Sequence, residues 1–486
     1  MKTTFINPKE KKPNISDKLK TTICFLITFL AIVSAFIVKV TVIEMVRDNV
    51  LPLIVSVSLG YALILGTLFI YVYNTRRKIV YRAKLLAAIC FAFGLTAVFA
   101  IFISHISVFL IPAALAAFIV STFAEARDAF VVNILINVLI AFTVIIEILI
   151  GNCSELLLNI IWVMLFGILT GSWVSYYISK NARRISYIGK GLSVGIISAG
   201  LFIGVLLLQE LLIYNTIVWG DLIMHSAFIL GAVVGQVIIG FIVQPPIESI
   251  FNLITNARLV EFTDHHHPLI ARLVKECPGT FNHSLNVANF AEICAVAIGE
   301  NPYMARAAAY YHDIGKLVNP LYFRENQSDY NPHDELMPEV SAEIIRNHVK
   351  EGEKLCAKYR IPKELSDITA QHHGTLPIAV FYNKAKSFTD SEVDIKAYSY
   401  DESLPESKIS AIIMLCDGGE AAVRSLDNPD GKAVDTIMRK LISERIDAGQ
   451  FDNCDITLKD LDVIRMAIVN AYGGVFHQRV KYPEGK

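Results

Sequence analysis

The sequence predicts a multi-pass α-helical membrane bundle followed by an all-α soluble domain. Three observations carry that expectation. Of the 486 residues, 54% are hydrophobic and 18% are charged, an apolar excess over an ordinary soluble domain. The excess is confined to residues up to Val243, which form long apolar runs. From Gln244 onward charges return at normal density, and apolar residues recur at the 3.6-residue spacing of helices. The near balance of 44 Lys+Arg against 45 Asp+Glu gives no reason to expect a nucleic-acid polymer as partner.

A membrane-crossing helix needs roughly 17 to 25 apolar residues, because lipid offers no partner to free backbone groups. In chain order the runs that approach this length are 21–43, 50–73, 85–103, 106–123, 129–151, 156–178, 188–208 and 222–243, about eight helices in a membrane domain spanning 21–243. The third and fourth are separated only by Ser104 and His105, so they make either two full spans or a tight hairpin or re-entrant pair. Orientation follows from Lys and Arg in short loops. The tail 1–20 carries Lys2, Lys9, Lys11, Lys12, Lys18 and Lys20. The loop after the second run carries Arg76, Arg77, Lys78, Arg82 and Lys84, and that after the sixth Lys180, Arg183, Arg184 and Lys190. Alternate loops are nearly free of both, apart from Lys39 and Arg47 near the first. Both termini are therefore expected on the cytoplasmic side of a bacterial membrane, which requires an even number of crossings. The first run is too long for the apolar core of a cleavable signal peptide. Among the polar residues inside the runs, Glu147, His225 and the i,i+4 pair Asn133/Asn137 are the candidates to mark a pathway. They are expected to pack between helices rather than to line a transport path.

Gln244-Pro245-Pro246 is expected to end the last run, with Ile247 to Val260 a short amphipathic helix within a linker and entry segment, 244–280. The domain 281–486 then reads as helices at 285–298, 304–317, 338–359, 366–371, 408–425, 434–448 and 458–471, with the polar stretch 383–406 as a surface insertion. The eight cysteines include no CxxC, and they read as reduced packing residues, Cys153 alone falling in an external loop.

Metal-ligating residue types recur through this half. They are His283, His312 and Asp313 within Tyr311-His312-Asp313-Ile314-Gly315-Lys316, His348, the pair His372-His373, and Asp417. Neutral imidazole suits a first-row transition metal, and a carboxylate can bridge two ions. Two ions would need about this many donors while leaving positions for water and substrate. A lone histidine on an amphipathic helix is ordinarily a packing residue; the set is what points to metal. His265-His266-His267, just before Pro268, reads as loop and helix cap. His333, in Asn331-Pro332-His333-Asp334, either contacts substrate or structures a turn.

These residues resemble the HD phosphohydrolase superfamily and, within it, the bacterial seven-transmembrane receptor HD hydrolases, the PgpH-type cyclic di-AMP phosphodiesterases. The resemblance is carried by Pro278-Gly279-Thr280-Phe281-Asn282-His283-Ser284, the segment around His312-Asp313, Glu325-Asn326-Gln327, Asn331 to Asp334, Gln371-His372-His373-Gly374-Thr375 and Leu458-Lys459-Asp460-Leu461. It implies an all-α HD-domain phosphohydrolase in which His283, His312, Asp313 and Asp417 hold one divalent metal and Asp313, His348, His372 and His373 the other, with Asp313 as bridge. It also implies manganese or iron as the metal, and cleavage of cyclic di-AMP to pApA; the mechanism expected for that cleavage is attack on phosphorus by a hydroxide activated between two ions. Two departures stand out. Asn282 occupies a position that is usually a second histidine, and only residues 44–49 lie where family members usually carry a large extracellular domain. No Gly-Tyr-Pro follows the metal segment, which disfavours the cyclic di-GMP branch.

Lys316 is then a candidate to contact phosphate or orient the attacking water, unless it is simply a solvated helix residue. Arg424, seven residues after Asp417 and so on a similar helix face, is a candidate for phosphate binding. Expected company is cyclic di-AMP, the lipid bilayer, and either a second copy of the chain or another membrane protein. The rival readings are an HD hydrolase for an alarmone or a deoxynucleoside triphosphate, a nucleotide-binding membrane sensor without catalysis, and a transporter. The histidines beyond the His, His-Asp and Asp set count against the first.

Overall fold

The computed structural model describes residues 15–43, 50–80, 82–150, 157–389, 392–401, 403–426 and 430–475. Among them the chain is helical, with one isolated antiparallel bridge between Pro377 and Ser399. It divides between Ala257 and Arg258 into two compact units. The short interval 44–49 and Cys153 lie outside the described residues, as does the basic tail as far as residue 14. The seven cysteines described are all free thiols.

The first unit holds α1 (Ile15–Val38, continued by a wide turn Lys39–Ile43), α2 (Val50–Thr75), the single turn α3 (Arg77–Val80), α4 (Ala83–Ile103), α5 (Leu115–Ser121), α6 (Ala126–Ile150), α7 (Leu157–Ile178), α8 (Arg184–Gln209) and α9 (Trp219–Ile250). Seven of these, α1, α2, α4, α6, α7, α8 and α9, are long and apolar enough to span a bilayer. The expected eighth long helix is absent from the described residues. Run 106–123 folds instead as a 3-10 turn at Val108–Leu110, an extended stretch through Pro112, and α5. At 1.5 Å per residue the seven residues of α5 rise only about 10 Å. Pro112 explains the break, because it supplies no N–H and fixes φ at the point where a continuous helix would pass.

This broken segment still carries the chain from one face of the unit to the other. Lys39, at the end of α1, pairs with Glu147 of α6 at 2.6 Å and donates to Ser104, at the end of α4, at 2.7 Å. Those three helix ends therefore share one level. Arg76, at the end of α2, pairs with Asp128 at 2.7 Å and Glu125 at 2.8 Å, at the start of α6. Since α6 runs from the second level to the first, residues 105–125 must return from the first to the second. Non-helical backbone at that depth must be covered by protein, and every residue from Ile111 to Thr122 is buried.

One asparagine supplies a bond the break lacks, and a second ties α6 to α7 beside it. Asn137 donates to Ala113 O at 3.0 Å, and Asn133, one turn earlier, donates to Ile168 O of α7 at 3.0 Å. Gly167 and Gly171, also one turn apart, let α7 come this close. A Cβ on either would stand 2.1 Å from an asparagine Oδ1. His225 packs its ring on Phe109, with centroids 4.4 Å apart.

Contrary to the sequence expectation, Pro245 and Pro246 do not end the last span. They lie inside α9, which runs on to Ile250. The two missing N–H groups weaken one turn, but Glu248, only 2% exposed, anchors it. That carboxylate pairs with Arg184 at 2.5 Å and accepts from Gln244 at 3.0 Å and Thr255 at 2.8 Å.

The second unit contains α10 (Asn256–Phe262), α11 (Pro268–Glu276), α12 (Pro278–Ile298), α13 (Pro302–Tyr311), α14 (Pro338–Lys358), α15 (Lys363–Gln371), α16 (Ala379–Lys386), α17 (Lys408–Arg424), α18 (Gly431–Asp447) and α19 (Leu458–Val475). Four of these start with proline in the first turn, where the missing N–H costs nothing. His267 caps α11, and the histidines before it stand in the loop. The stretch expected as a surface insertion is partly core. Tyr398 is 2% exposed and packs with Ala342, Phe381 and Ala385. Backbone bonds Ile378 N–H to Tyr398 O at 2.7 Å and Tyr400 N–H to Leu376 O at 3.0 Å fasten it.

Candidate metal centre

Five helices deliver the candidate ligands to one place. His283 projects from the second turn of α12, which begins seven residues before the expected Leu285. His312 and Asp313 follow the last residue of α13, where the chain tightens into a 3-10 turn, Ile314–Val318. That turn lies directly on α14, since a Cβ on Gly315 would be 1.8 Å from His348 O and 2.5 Å from Gly352 N. Only glycine permits the approach that sets Asp313 beside His348. His372 and His373 follow α15, and Asp417 stands on α17.

The Asp313 carboxylate divides the cluster in two. Its Oδ2 lies 3.3 Å from His312 Nε2 and 3.6 Å from His283 Nε2. Its Oδ1 lies 3.4 Å from His348 Nε2 and 3.7 Å from His372 Nε2. His283, His312 and Asp313 form one compact donor group, and Asp313, His348, His372 and His373 another. Asp417 falls outside the compact trio but reaches it, 3.0 Å from His283 Nε2 and 3.8 Å from His312 Nε2, and lies 3.9 Å from His373 Nδ1.

What fits this set to metal is the orientation of its imidazoles. His312 Nδ1 is bound to Ala309 O at 2.7 Å, His348 Nδ1 to Ile345 O at 2.6 Å, and His372 Nδ1 to Thr369 O at 2.6 Å. His283 Nδ1 is bound to Glu420 at 2.7 Å. In each case the outer Nδ1 is tied to an acceptor and Nε2 is turned inward, the arrangement of metal-ligating histidines. The inward atoms His312 Nε2 and Asp313 Oδ1 are buried with no hydrogen-bond partner, a costly state unless a cation faces them.

Charge inside the cluster is split. Burial pushes His372 down and His373 well down, so both favour the neutral form that binds metal. Burial also works against charge on His283 and His312, but neighbouring carboxylates, Asp417 and Glu420 for the first and Asp313 and Asp417 for the second, overcome it. His283 is raised and His312 is pushed up to about 10. Asp313 and Asp417 lie well below the usual carboxylate range, because cationic neighbours, Lys316 and His312 for the first and His283 and His312 for the second, outweigh burial. A divalent ion must therefore displace the proton of His312. Because a value of about 10 keeps that proton on near neutrality, metal affinity should rise with pH, and filling the site should release about one proton. Calorimetric titration with Mn²⁺ in buffers of different ionisation heat measures this, and binding without proton release would contradict it.

Lys316 is part of the centre rather than a solvated helix residue. Its Nζ lies 2.7 Å from Asp313 Oδ2 and 2.8 Å from Glu325 Oε1. Thr280 donates to the same Glu325 oxygen at 3.0 Å. Arg424 is turned outward, with its side chain 52% exposed and 3.6 Å from Glu420. His333 is apart from both donor groups. Its Nε2 binds Tyr322 O at 2.9 Å and its ring packs on Tyr322 and Phe381.

Two residues escaped the sequence reading. Glu420, one turn after Asp417, orients His283 and accepts from Asn286 at 3.3 Å; its i,i+3 spacing from Asp417 was the available signal. Tyr400, from the supposed insertion, stacks on His373 at 4.2 Å between ring centroids, and no local pattern announces it. Replacing Glu420 by Gln keeps the shape and removes the charge. About a 10- to 100-fold loss of metal affinity is expected, read as metal retained per chain after dialysis.

Residues 280–421 match the family described as HD domain, and residues 51–255 the family described as 7TM receptor with intracellular HD hydrolase. Cyclic-di-AMP phosphodiesterase PgpH of Bacillus subtilis (strain 168) is 37% identical over 369 residues, covering 74% of this chain and 51% of that protein. The protein of the same name from Listeria monocytogenes serotype 1/2a is 39% identical over 326 residues, covering 67% of this chain and 45% of that protein. The chain thus spans about half the length of the curated relatives it matches. The crystal structure of the L. monocytogenes PgpH HD domain in complex with cyclic-di-AMP is 42% identical to the part it matches, covering 44% of this chain and all of that one, with a TM-score of 0.43.

Proposed function

The chain belongs to the 7TM receptors with intracellular HD hydrolase, and from that premise we propose that it is a membrane-anchored phosphodiesterase that hydrolyses cyclic di-AMP to pApA. The observation that carries the reading is the Asp313 carboxylate, one oxygen toward His283 and His312 and the other toward His348 and His372. A nucleotide-binding sensor without catalysis would have no need of such a divided donor set. The names of the relatives supply the substrate.

His283, His312, Asp313 and Asp417 would hold one divalent ion, and Asp313, His348, His372 and His373 the other. Manganese and iron both suit imidazole with carboxylate. Bound there, the ions supply an acidified water and neutralise charge on the phosphoryl oxygens. The protein's own groups do the rest. Hydrolysis adds the water oxygen to phosphorus and breaks one P–O3′ bond, and the departing 3′-oxygen takes up a proton. Lys316, raised by Asp313 and Glu325 over the opposing effect of burial, stays charged. It is the cation available to a phosphoryl oxygen, with Glu325 limiting its swing. Tyr400, stacked on His373, offers an aromatic face beside the centre for a base of the substrate.

We further assign the second unit and both termini to the cytoplasm. The support is the Lys and Arg content of the N-terminal tail, loop 76–84 and loop 180–190. Seven long helices plus the returning segment 105–125 make eight passages, as termini on the same side require.

Full-length protein in lipid nanodiscs, supplied with Mn²⁺ or Fe²⁺, tests the activity. Cyclic di-AMP should yield pApA, with cyclic di-GMP, a guanosine tetraphosphate alarmone and a deoxynucleoside triphosphate turned over far more slowly. Preference for one of the latter three would replace the substrate, and binding of cyclic di-AMP without product would favour a sensor.

A further inference from the structure

The membrane unit contains a cavity of about 50 Å³ at the break between the 3-10 turn and α5. Its walls come from mid-length positions of three spanning helices, Gly167 of α7, Ser198 of α8 and Gln236 of α9, together with Phe109 and Ala114 of the broken segment. Gln236 accepts the Ala114 N–H at 3.2 Å. Its oxygen is thereby committed to the break and its amide nitrogen remains a donor. Ser198 is 4% exposed, and its Oγ, in the cavity wall, has no hydrogen-bond partner. An orphaned hydroxyl at this depth is costly, and an interrupted helix at mid-membrane is where membrane proteins commonly build binding sites.

The size and lining narrow the occupant. A water needs roughly 10 to 15 Å³ of such space and about three hydrogen bonds, so the cavity would hold about three to five waters, which even when bonded to one another need more partners than three polar side chains offer. The polar side chains in the wall are Thr170, Ser198 and Gln236, and the remainder is aliphatic or aromatic. With no charged residue among them, an ion would be left without compensation. We propose that this cavity is a binding site for a small uncharged molecule that carries one hydroxyl on a short apolar body, a short-chain alcohol in chemical class. The hydroxyl pairs with Ser198 and Gln236, and the body lies against Phe109 and Phe202. The site is independent of the hydrolase centre and of the substrate proposed for it.

Full-length protein in nanodiscs, probed with 2-fluoroethanol by ¹⁹F saturation-transfer NMR, tests this. Saturable transfer, displaced by n-propanol, is expected. Ser198→Ala should weaken it several-fold, as loss of one hydrogen bond implies. Ala199→Phe or Ala232→Leu, each of which fills the cavity from a different helix, should abolish it, whereas Leu201→Phe on the exposed side of α8 should leave it intact. Unchanged elution and thermal unfolding identify the variants that fold, and the two filling variants guard against failure of one. Transfer that does not saturate, that survives both filling variants, or that is absent because the cavity holds only water would overturn the proposal.

Discussion

Asp313→Ala should abolish hydrolysis of cyclic di-AMP, by at least about 10³-fold, which at 1.36 kcal/mol per decade is about 4 kcal/mol of barrier. The size follows from position. The one carboxylate faces four imidazole Nε2 atoms, at 3.3 to 3.7 Å, so its loss removes a donor from both groups at once. It also takes from the partly buried Lys316 one of its two carboxylate partners, leaving Glu325. Asp313→Asn is the informative companion. It retains the shape, so a similar loss of turnover together with metal content falling toward zero would assign the defect to ligation. Turnover persisting in either variant would remove the centre from the reaction. Normal membrane insertion is expected in both, since Asp313 belongs to the second unit.

Removing metal with a chelator should be as damaging, with a second readout besides activity. The donor groups come from α12, the end of α13, α14, the end of α15, and α17, five elements that otherwise meet around uncompensated polar atoms. An ion held by the folded domain at about 1,000 times its dissociation constant contributes roughly 4 kcal/mol. Stripped protein should therefore lose turnover completely and unfold at a markedly lower temperature, and Mn²⁺ or Fe²⁺ should restore both. If chelation stopped turnover without shifting unfolding, ions would serve the chemistry alone. If it did neither, the donor set would not be a metal centre.

The centre was legible from sequence because its donors are rare residue types with little other reason to recur, at His312-Asp313 and His372-His373 above all. What surrounds them was not, because it arises across long separations. Glu420 meets His283 from a helix that starts 125 residues later, at Lys408 against His283. Tyr400 reaches His373 only because Tyr398 is anchored in a small core of its own. In the membrane unit, hydropathy located every apolar run but could not separate a span from a folded-back segment, since both bury the same residues. Pro112 was the local sign of the break. Proline misled at 245–246, where the bonds of Glu248 to Arg184, Gln244 and Thr255 keep the helix going past a point that chain-local rules would end it.

The Lys39–Glu147 pair sets a schedule for assembly. Lys39 is fully buried and Glu147 largely so; both stand at helix ends, where insertion costs less than the roughly 2.5 to 3.5 kcal/mol of a charge at a helix centre, but burying either one without the other would leave an unpaired charge inside the bundle. Their separation is 147 − 39 = 108 residues, so at about 5 to 20 residues per second the ribosome delivers the acid some 5 to 20 seconds after the base. Until then α1 must wait near the interface with its ammonium in water. Its final seat becomes available only when α6 emerges, so the first helix made is among the later ones to be locked in.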